Sequence, residues 1–114
     1  MARSWRLTIR HGSEVRKATF YDLDEAIDAM RAAAVEIVRA GPLKPTSGFR
    51  EYEPAERVAA RLAIWTGGLL RGREAGIDIM GDGELIPYTG VIHRRPLEGR
   101  SPDRAFQAVT EALR

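Results

Sequence analysis

Residues 77–90 read IDIMGDGELIPYTG, and the place where the chain turns within them decides which side chains enter the core. Ile77 and Ile79 alternate with Asp78 and Met80; Ile86, Tyr88, Gly90 and Ile92 alternate with Pro87, Thr89, Val91 and His93. Period-two alternation of this kind is the mark of half-buried strands. Between the two runs stands Gly81-Asp82-Gly83-Glu84, a candidate metal or phosphate loop or else a hairpin tip. As a calcium loop it lacks further oxygen ligands, because Leu85, Ile86 and Pro87 follow at once. A two-residue Asp82-Gly83 turn sets Ile79 opposite Ile86 and Ile77 opposite Tyr88, a coherent apolar face, so the sequence predicts a hairpin. Pro87 has no amide proton, which places its strand at an edge or at a bulge. Asp78 and Met80 fall on the second face.

The preceding segment, residues 54–66, fits two periods. Val58, Leu62 and Trp65 could stripe a helix opened by Pro54, while Val58, Ala60, Leu62 and Ile64 alternate against Arg57, Ala59, Arg61 and Ala63. Neighbouring strands need a partner and Gly67-Gly68 ends the run, so the segment is read as a strand. At the other end of the chain, Trp5, Leu7 and Ile9 alternate with Arg6, Thr8 and Arg10. Gly12-Ser13 suits a type II′ turn that pairs Trp5 with Phe20, Leu7 with Ala18 and Ile9 with Arg16. The inner face is then Trp5, Leu7, Ile9, Ala18 and Phe20.

Two helices complete the pattern. Asp22 can cap a helix, with Glu25 placed for a capping box, and Leu23, Ile27, Met30, Ala34, Ile37 and Val38 recur at steps of three and four. Gly41-Pro42 stops it. Ser101-Pro102 opens a second helix striped by Phe106, Val109 and Leu113. Residues 41–54, rich in proline and glycine, form a crossover whose far end could begin a strand at Phe49. The reading for residues 1–114 is one α+β domain: an antiparallel sheet of about five strands in the order β-β-α-β-β-β-α, with two helices on one face.

Composition narrows the function classes. The chain has no cysteine, so disulfides and thiolate metal sites are excluded. No run is long and apolar enough for a membrane helix, and no signal-peptide pattern opens the chain, so a cytoplasmic location is expected and no membrane contact. Sixteen of the eighteen basic residues are arginine, with no asparagine and one glutamine; heat adaptation or a coding bias toward Ala, Arg, Gly and Pro accounts for that equally. A net charge of +2 is too small to argue for nucleic acid by itself.

The chemical candidates are few. The only histidines are His11 and His93. His11 with Ser13 and Glu14 places a nucleophile, a base and an acid at one hairpin tip, which rarely gives the buried geometry catalysis needs. A zinc site from His11, His93 and carboxylates has no spacing signature. Residues 66–74, TGGLLRGRE, carry Arg73-Glu74 where a P-loop needs Lys and then Ser or Thr, so a strand connection is expected. Asp22, Asp24, Glu25 and Asp28 serve the helix start. No catalytic residue, metal ligand or cofactor is assigned, and the chain is read as leaning away from an enzyme, with a small hydrolase or metal-dependent enzyme the third choice.

Two interaction readings remain. The first is assembly with itself or another protein through the sheet face opposite the helices, where Val15, Trp65, Met80, Leu85 and Val91 are expected. The second uses basic residues, Arg6, Arg10 and Lys17 on the first hairpin and Arg71, Arg73, Arg94, Arg95 and Arg100 around the last strands, to neutralise phosphates of RNA or DNA. From the first helix to the second the order is α-β-β-β-α, and residues 99–113, GRSPDRAFQAVTEAL, close it. In that order this part of the chain resembles the double-stranded-RNA-binding domain, and the resemblance implies RNA binding. That family's lysine-rich start to the second helix is replaced here by Pro102, Asp103 and Arg104.

Overall fold

In the computed structural model, residues 3–41, 58–67, 72–90, 95–97 and 101–114 are described. They form β1 (Trp5–His11), β2 (Glu14–Phe20), α1 (Leu23–Ala40), β3 (Val58–Thr66), β4 (Arg73–Met80), β5 (Leu85–Thr89), β6 (Arg95–Pro96) and α2 (Pro102–Leu113). The class and element order agree with the sequence reading, and a two-residue β6 is added. The sheet runs β2-β1-β3-β4-β5-β6, with every neighbouring pair antiparallel.

The first hairpin has the expected register: Trp5 faces Phe20, Leu7 faces Ala18 and Ile9 faces Arg16. Gly12 turns it at φ 62° while Ser13 keeps a negative φ, as a type II′ turn requires. Residues 58–66 are a strand, and β3 lies at the centre between β1 and β4. Leu62 and Ile64 are fully buried there, facing Ile9 and Leu7 on one side and Ile77 and Ala75 on the other. The expected extension over 54–57 and the strand start at Phe49 lie outside the described residues.

Both helices contribute to one core with that face. Ala26, Ile27, Met30, Ala33, Ala34 and Ile37 of α1 and Ala105, Phe106, Val109 and Leu113 of α2 join Leu7, Leu62, Ile64, Ile77 and Ile79 in a single cluster. Caps hold the helix starts: Asp22 accepts from the Asp24 amide at 3.3 Å, and Ser101 accepts from the Arg104 amide at 3.3 Å. Val38, expected in the α1 stripe, is instead 41% exposed. The helix turns 100° between Ile37 and Val38, and the core takes Ile37.

The turn at Gly81-Asp82-Gly83 differs from the reading. The Met80 amide donates to Glu84 O, and the Gly83 amide donates to Met80 O, each at 2.9 Å. The loop therefore holds three residues, with Gly83 at φ 90° and Asp82 Oδ1 accepting from the Glu84 amide at 3.0 Å. That is a turn followed by a left-handed glycine bulge. The extra residue moves the register by one: Ile79 faces Leu85, Ile77 faces Pro87, Asp78 faces Ile86 and Gly76 faces Tyr88. A one-residue shift exchanges the faces of a strand. Leu85 and Pro87 thus go to the helix side, and Ile86 and Tyr88 to the other.

Pro87 is accommodated by the same alternation. The Gly90 amide donates to Glu74 O, as Met80 does to Glu84 O, so the even-numbered residues of β5 bond to β4. The nitrogen of Pro87 points the other way, toward the far edge, where its carbonyl accepts from the Leu97 amide at 2.8 Å. Among the described residues, only β6 pairs on that side. β5 ends at Thr89, before Gly90 at φ 104°, and the expected continuation over 91–93 lies outside the described residues.

Candidate functional site: the sheet face opposite the helices

Alternation from the core residues fixes the second face. Arg6, Thr8 and Arg10 lie between Trp5, Leu7 and Ile9, and their partners are Thr19, Lys17 and Val15 on β2 and Trp65, Ala63 and Arg61 on β3. On β4, Glu74, Gly76 and Asp78 continue the same rows, and Tyr88 and Ile86 extend them on β5.

The β3–β5 half of this face is closed and charge-paired. Arg61 Nε donates to Asp78 Oδ1 at 2.6 Å and Nη2 donates to Oδ2 at 3.2 Å. The two side chains are 29% and 18% exposed. The hydrogen bond to Asp78 holds the Arg61 guanidinium above the usual arginine range, against a smaller opposite pull from burial. Its Cζ lies 5.7 Å from the centre of the Tyr88 ring. Tyr88 itself is buried at 4%, because its facing residue is Gly76. A β-carbon at Gly76 would collide with Leu62 O and would lie 2.8 Å from Tyr88 Oη and 2.9 Å from Ala63 Cα. The tyrosine occupies the width that the glycine leaves, as aromatic residues do beside sheet glycines.

The β1–β2 half is of another kind. Arg6, Arg10, Lys17, Thr19 and Val15 are exposed, and Thr8 and Trp65 are half-buried. The Arg6 guanidinium stands 5.8 Å from the Trp65 ring centre. On another side the indole meets backbone: a β-carbon at Gly72 would lie 2.8 Å from Trp65 Cε2 and Cζ2. A shallow hollow of about 550 Å³ is lined by Arg6, Thr8, Lys17, Ala18, Thr19 and Trp65. The carboxylates described on this face, Glu74 and Asp78, both stand on β4, with β3 between them and the cations of β1. Among the described residues, no carboxylate forms an ion pair with Arg6, Arg10 or Lys17.

Of the eight basic residues expected at a phosphate surface, these three are brought together. Arg73 is not with them: it faces Thr66 in the helix-side row and donates to Arg114 O at 2.8 Å. Arg95 pairs with Thr89 in β6, and Arg71, Arg94 and Arg100 lie outside the described residues. The assembly set is likewise divided. Val15 is 48% exposed, Met80 is 7% exposed, and Trp65 lies beside Arg6. Leu85 is corrected to the helix side, where it packs on the core, and Val91 lies outside the described residues. What sequence reasoning missed was the Arg61–Asp78–Tyr88 cluster: the β3–β4 register pairs Arg61 with Asp78, and the observed register of β5 adds Tyr88.

Other candidates gain nothing from the geometry. His11 is at the end of β1 opposite Glu14, His93 is outside the described residues, and among the described residues no three His, Asp or Glu side chains group as metal ligands. Thr66 and Arg73 end and begin neighbouring strands, so residues 66–74 connect strand to strand. A larger hollow of about 1020 Å³ runs between β5 and α2, past Leu85, Pro87 and Arg104. No described helix is long and apolar enough to cross a membrane.

The first turn of α2 is occupied as well. Asp103 accepts from Arg31 of α1 at 2.9 Å, and the Arg31 guanidinium lies 4.7 Å from the Phe106 ring centre. An acid paired to the neighbouring helix thus stands where the double-stranded-RNA-binding order would present lysines. No protein-family model, no curated protein and no solved structure matches the chain.

Proposed function

We propose that this domain is an interaction module whose β1–β2–β3 face receives an anionic partner. The observation that carries the reading is the placement of Arg6, Arg10 and Lys17 on one exposed surface beside a half-buried tryptophan, with the acids of that face held one strand further away. Unpaired cations gathered on one side attract anions more strongly than a net charge of +2 would suggest, because the local field follows the distribution. Self-association through this face is the weaker alternative. It would bring cations against cations, and with Leu85 on the other side and Met80 buried the apolar area among the described residues is Val15 and parts of Trp65 and Ile86.

Salt elution from an immobilised polyanion tests the reading. The triple variant Arg6→Gln/Arg10→Gln/Lys17→Gln is compared with Arg16→Gln/Arg39→Gln/Arg104→Gln, which removes equal charge from other exposed positions. The first should elute at clearly lower salt than the second. Equal elution of the two would refute the proposal. Sedimentation across concentration, with a dimer that weakens in Val15→Asp, would favour self-association instead.

A further inference from the structure

We propose that the anionic partner is an extended single strand of nucleic acid, its phosphates on Arg6, Lys17 and Arg10 and its bases over β3, beginning with one stacked on Trp65. The inference rests on the anionic-partner reading and adds the partner's class. It follows from the register. Lys17 sits opposite Thr8, midway between Arg6 and Arg10. The three cations therefore recur every two residues along the strand axis, a step of about 6.8 Å, with Lys17 set one strand aside by about 4.8 Å. A nucleotide repeat contains six backbone bonds where an amino-acid residue contains three. A stretched polynucleotide accordingly repeats at about the length of two strand residues, and its charges meet these cations in step.

The other side of β1 supplies the surface for bases. The residues facing Arg6, Thr8 and Arg10 on β3 are Trp65, Ala63 and Arg61. A backbone tracking over β1 and β2 thus projects its bases toward β3, onto the half-buried indole of Trp65 and the methyl group of Ala63, with the covered Arg61 guanidinium bounding the row. An indole face stacks on bases of any sequence. Paired bases inside a duplex cannot reach such a platform, which selects the single strand. Thr8 and Thr19 line the same hollow and offer hydroxyl donors to phosphate oxygens.

Fluorescence anisotropy of a labelled oligothymidylate of about fifteen nucleotides, the abasic chain of equal length and the corresponding duplex tests this. Three phosphate contacts on a single strand give a log–log salt slope of about −2, so affinity should fall about 20-fold between about 50 mM and about 200 mM salt. Arg6→Gln, Arg10→Gln and Lys17→Gln should each flatten the slope by about 0.7. Trp65→Ala should weaken binding between about 5-fold and about 150-fold, and Trp65→Phe should restore part of it. The abasic chain, which needs no variant and therefore no refolding control, should bind the wild type as weakly as the oligothymidylate binds Trp65→Ala. Equal affinity for the abasic chain and the oligothymidylate would overturn the base platform and with it the single-strand assignment. Salt-sensitive binding of polyglutamate with no binding of the oligonucleotide would overturn the nucleic acid and leave the anionic-partner reading standing. If neither binds at low salt, both readings fall.

Discussion

Asp78→Ala removes the counter-charge from a guanidinium that is mostly covered. The carboxylate accepts two hydrogen bonds from Arg61, at 2.6 and 3.2 Å, with the side chains 29% and 18% exposed. Exposed pairs contribute up to about 1 kcal/mol, whereas breaking a buried pair costs about 3–5 kcal/mol because a charge is left without compensation. The coverage here lies nearer the buried case, so a loss of about 2–3 kcal/mol is expected. With an unfolding entropy of about 2.1 cal/mol/K per residue, 114 residues give about 0.24 kcal/mol/K, and the midpoint should fall by about 8–13 °C. Thermal unfolding followed by circular dichroism reads the shift directly. Arg61→Met/Asp78→Leu, which removes both charges and keeps apolar volume, should recover most of the loss. The Arg61 value is raised in the folded protein, so its stabilisation is complete below the ordinary arginine value and fades only above the raised one. The difference between wild type and Asp78→Ala should therefore stay constant from about pH 7 to about pH 10. A midpoint change under about 2 °C would place the pair among exposed ones and refute the account of a closed β3–β5 face.

Gly76→Ala should destabilise by about 2 kcal/mol or more in urea unfolding, because the new methyl group meets the backbone of Leu62 and Ala63, which cannot rotate away; Tyr88→Phe in the same chain should not relieve it. Ser101→Ala should cost about 1 kcal/mol by the loss of the α2 cap, again read in urea. The Arg31–Asp103 pair, with side chains 44% and 90% exposed, should show a coupling below about 1 kcal/mol in a double-mutant cycle that shrinks with added salt. Deleting Gly81 should leave Asp82-Gly83 as a two-residue turn between the same pair, Met80 and Glu84, so nuclear Overhauser contacts should still place Pro87 opposite Ile77.

The parts of the fold legible in the sequence are those where one period alone was possible. Trp5, Leu7 and Ile9 alternate against charged or hydroxyl residues, so only one phase buries apolar surface, and Gly12 supplies the turn that phase requires. Asp22 and Ser101 announce both helices by capping them. The β4–β5 hairpin was of another kind. Leu85 and Pro87 are as apolar as Ile86 and Tyr88, so periodicity permits both phases and the loop alone decides between them. The overlooked signal was glycine on both sides of Asp82, which serves a turn with a left-handed third residue. A two-residue loop there puts Tyr88 on the helix side, away from Arg61, Asp78 and Gly76, whose common face does not depend on β5. Arg6, Arg10 and Lys17 could be grouped from sequence, since their hairpin is local. Their adjacency to Trp65 could not, since it depends on which strand β3 chooses to flank.

The position of β1 has a consequence for how the chain reaches its fold. β1 lies between β2, its neighbour in sequence, and β3, whose partner to Trp5 is Thr66. During synthesis the first hairpin and α1 emerge with one side of β1 still without hydrogen bonds. Pairing there can start only once Ala60, the partner of His11, has been made, and is complete only with Thr66. Closing so long a loop costs entropy before any contact repays it, and pairing of this separation slows folding relative to local helix and hairpin formation. The charged residues Arg6 and Arg10 then protect a nascent edge, holding other chains off β1 until β3 arrives.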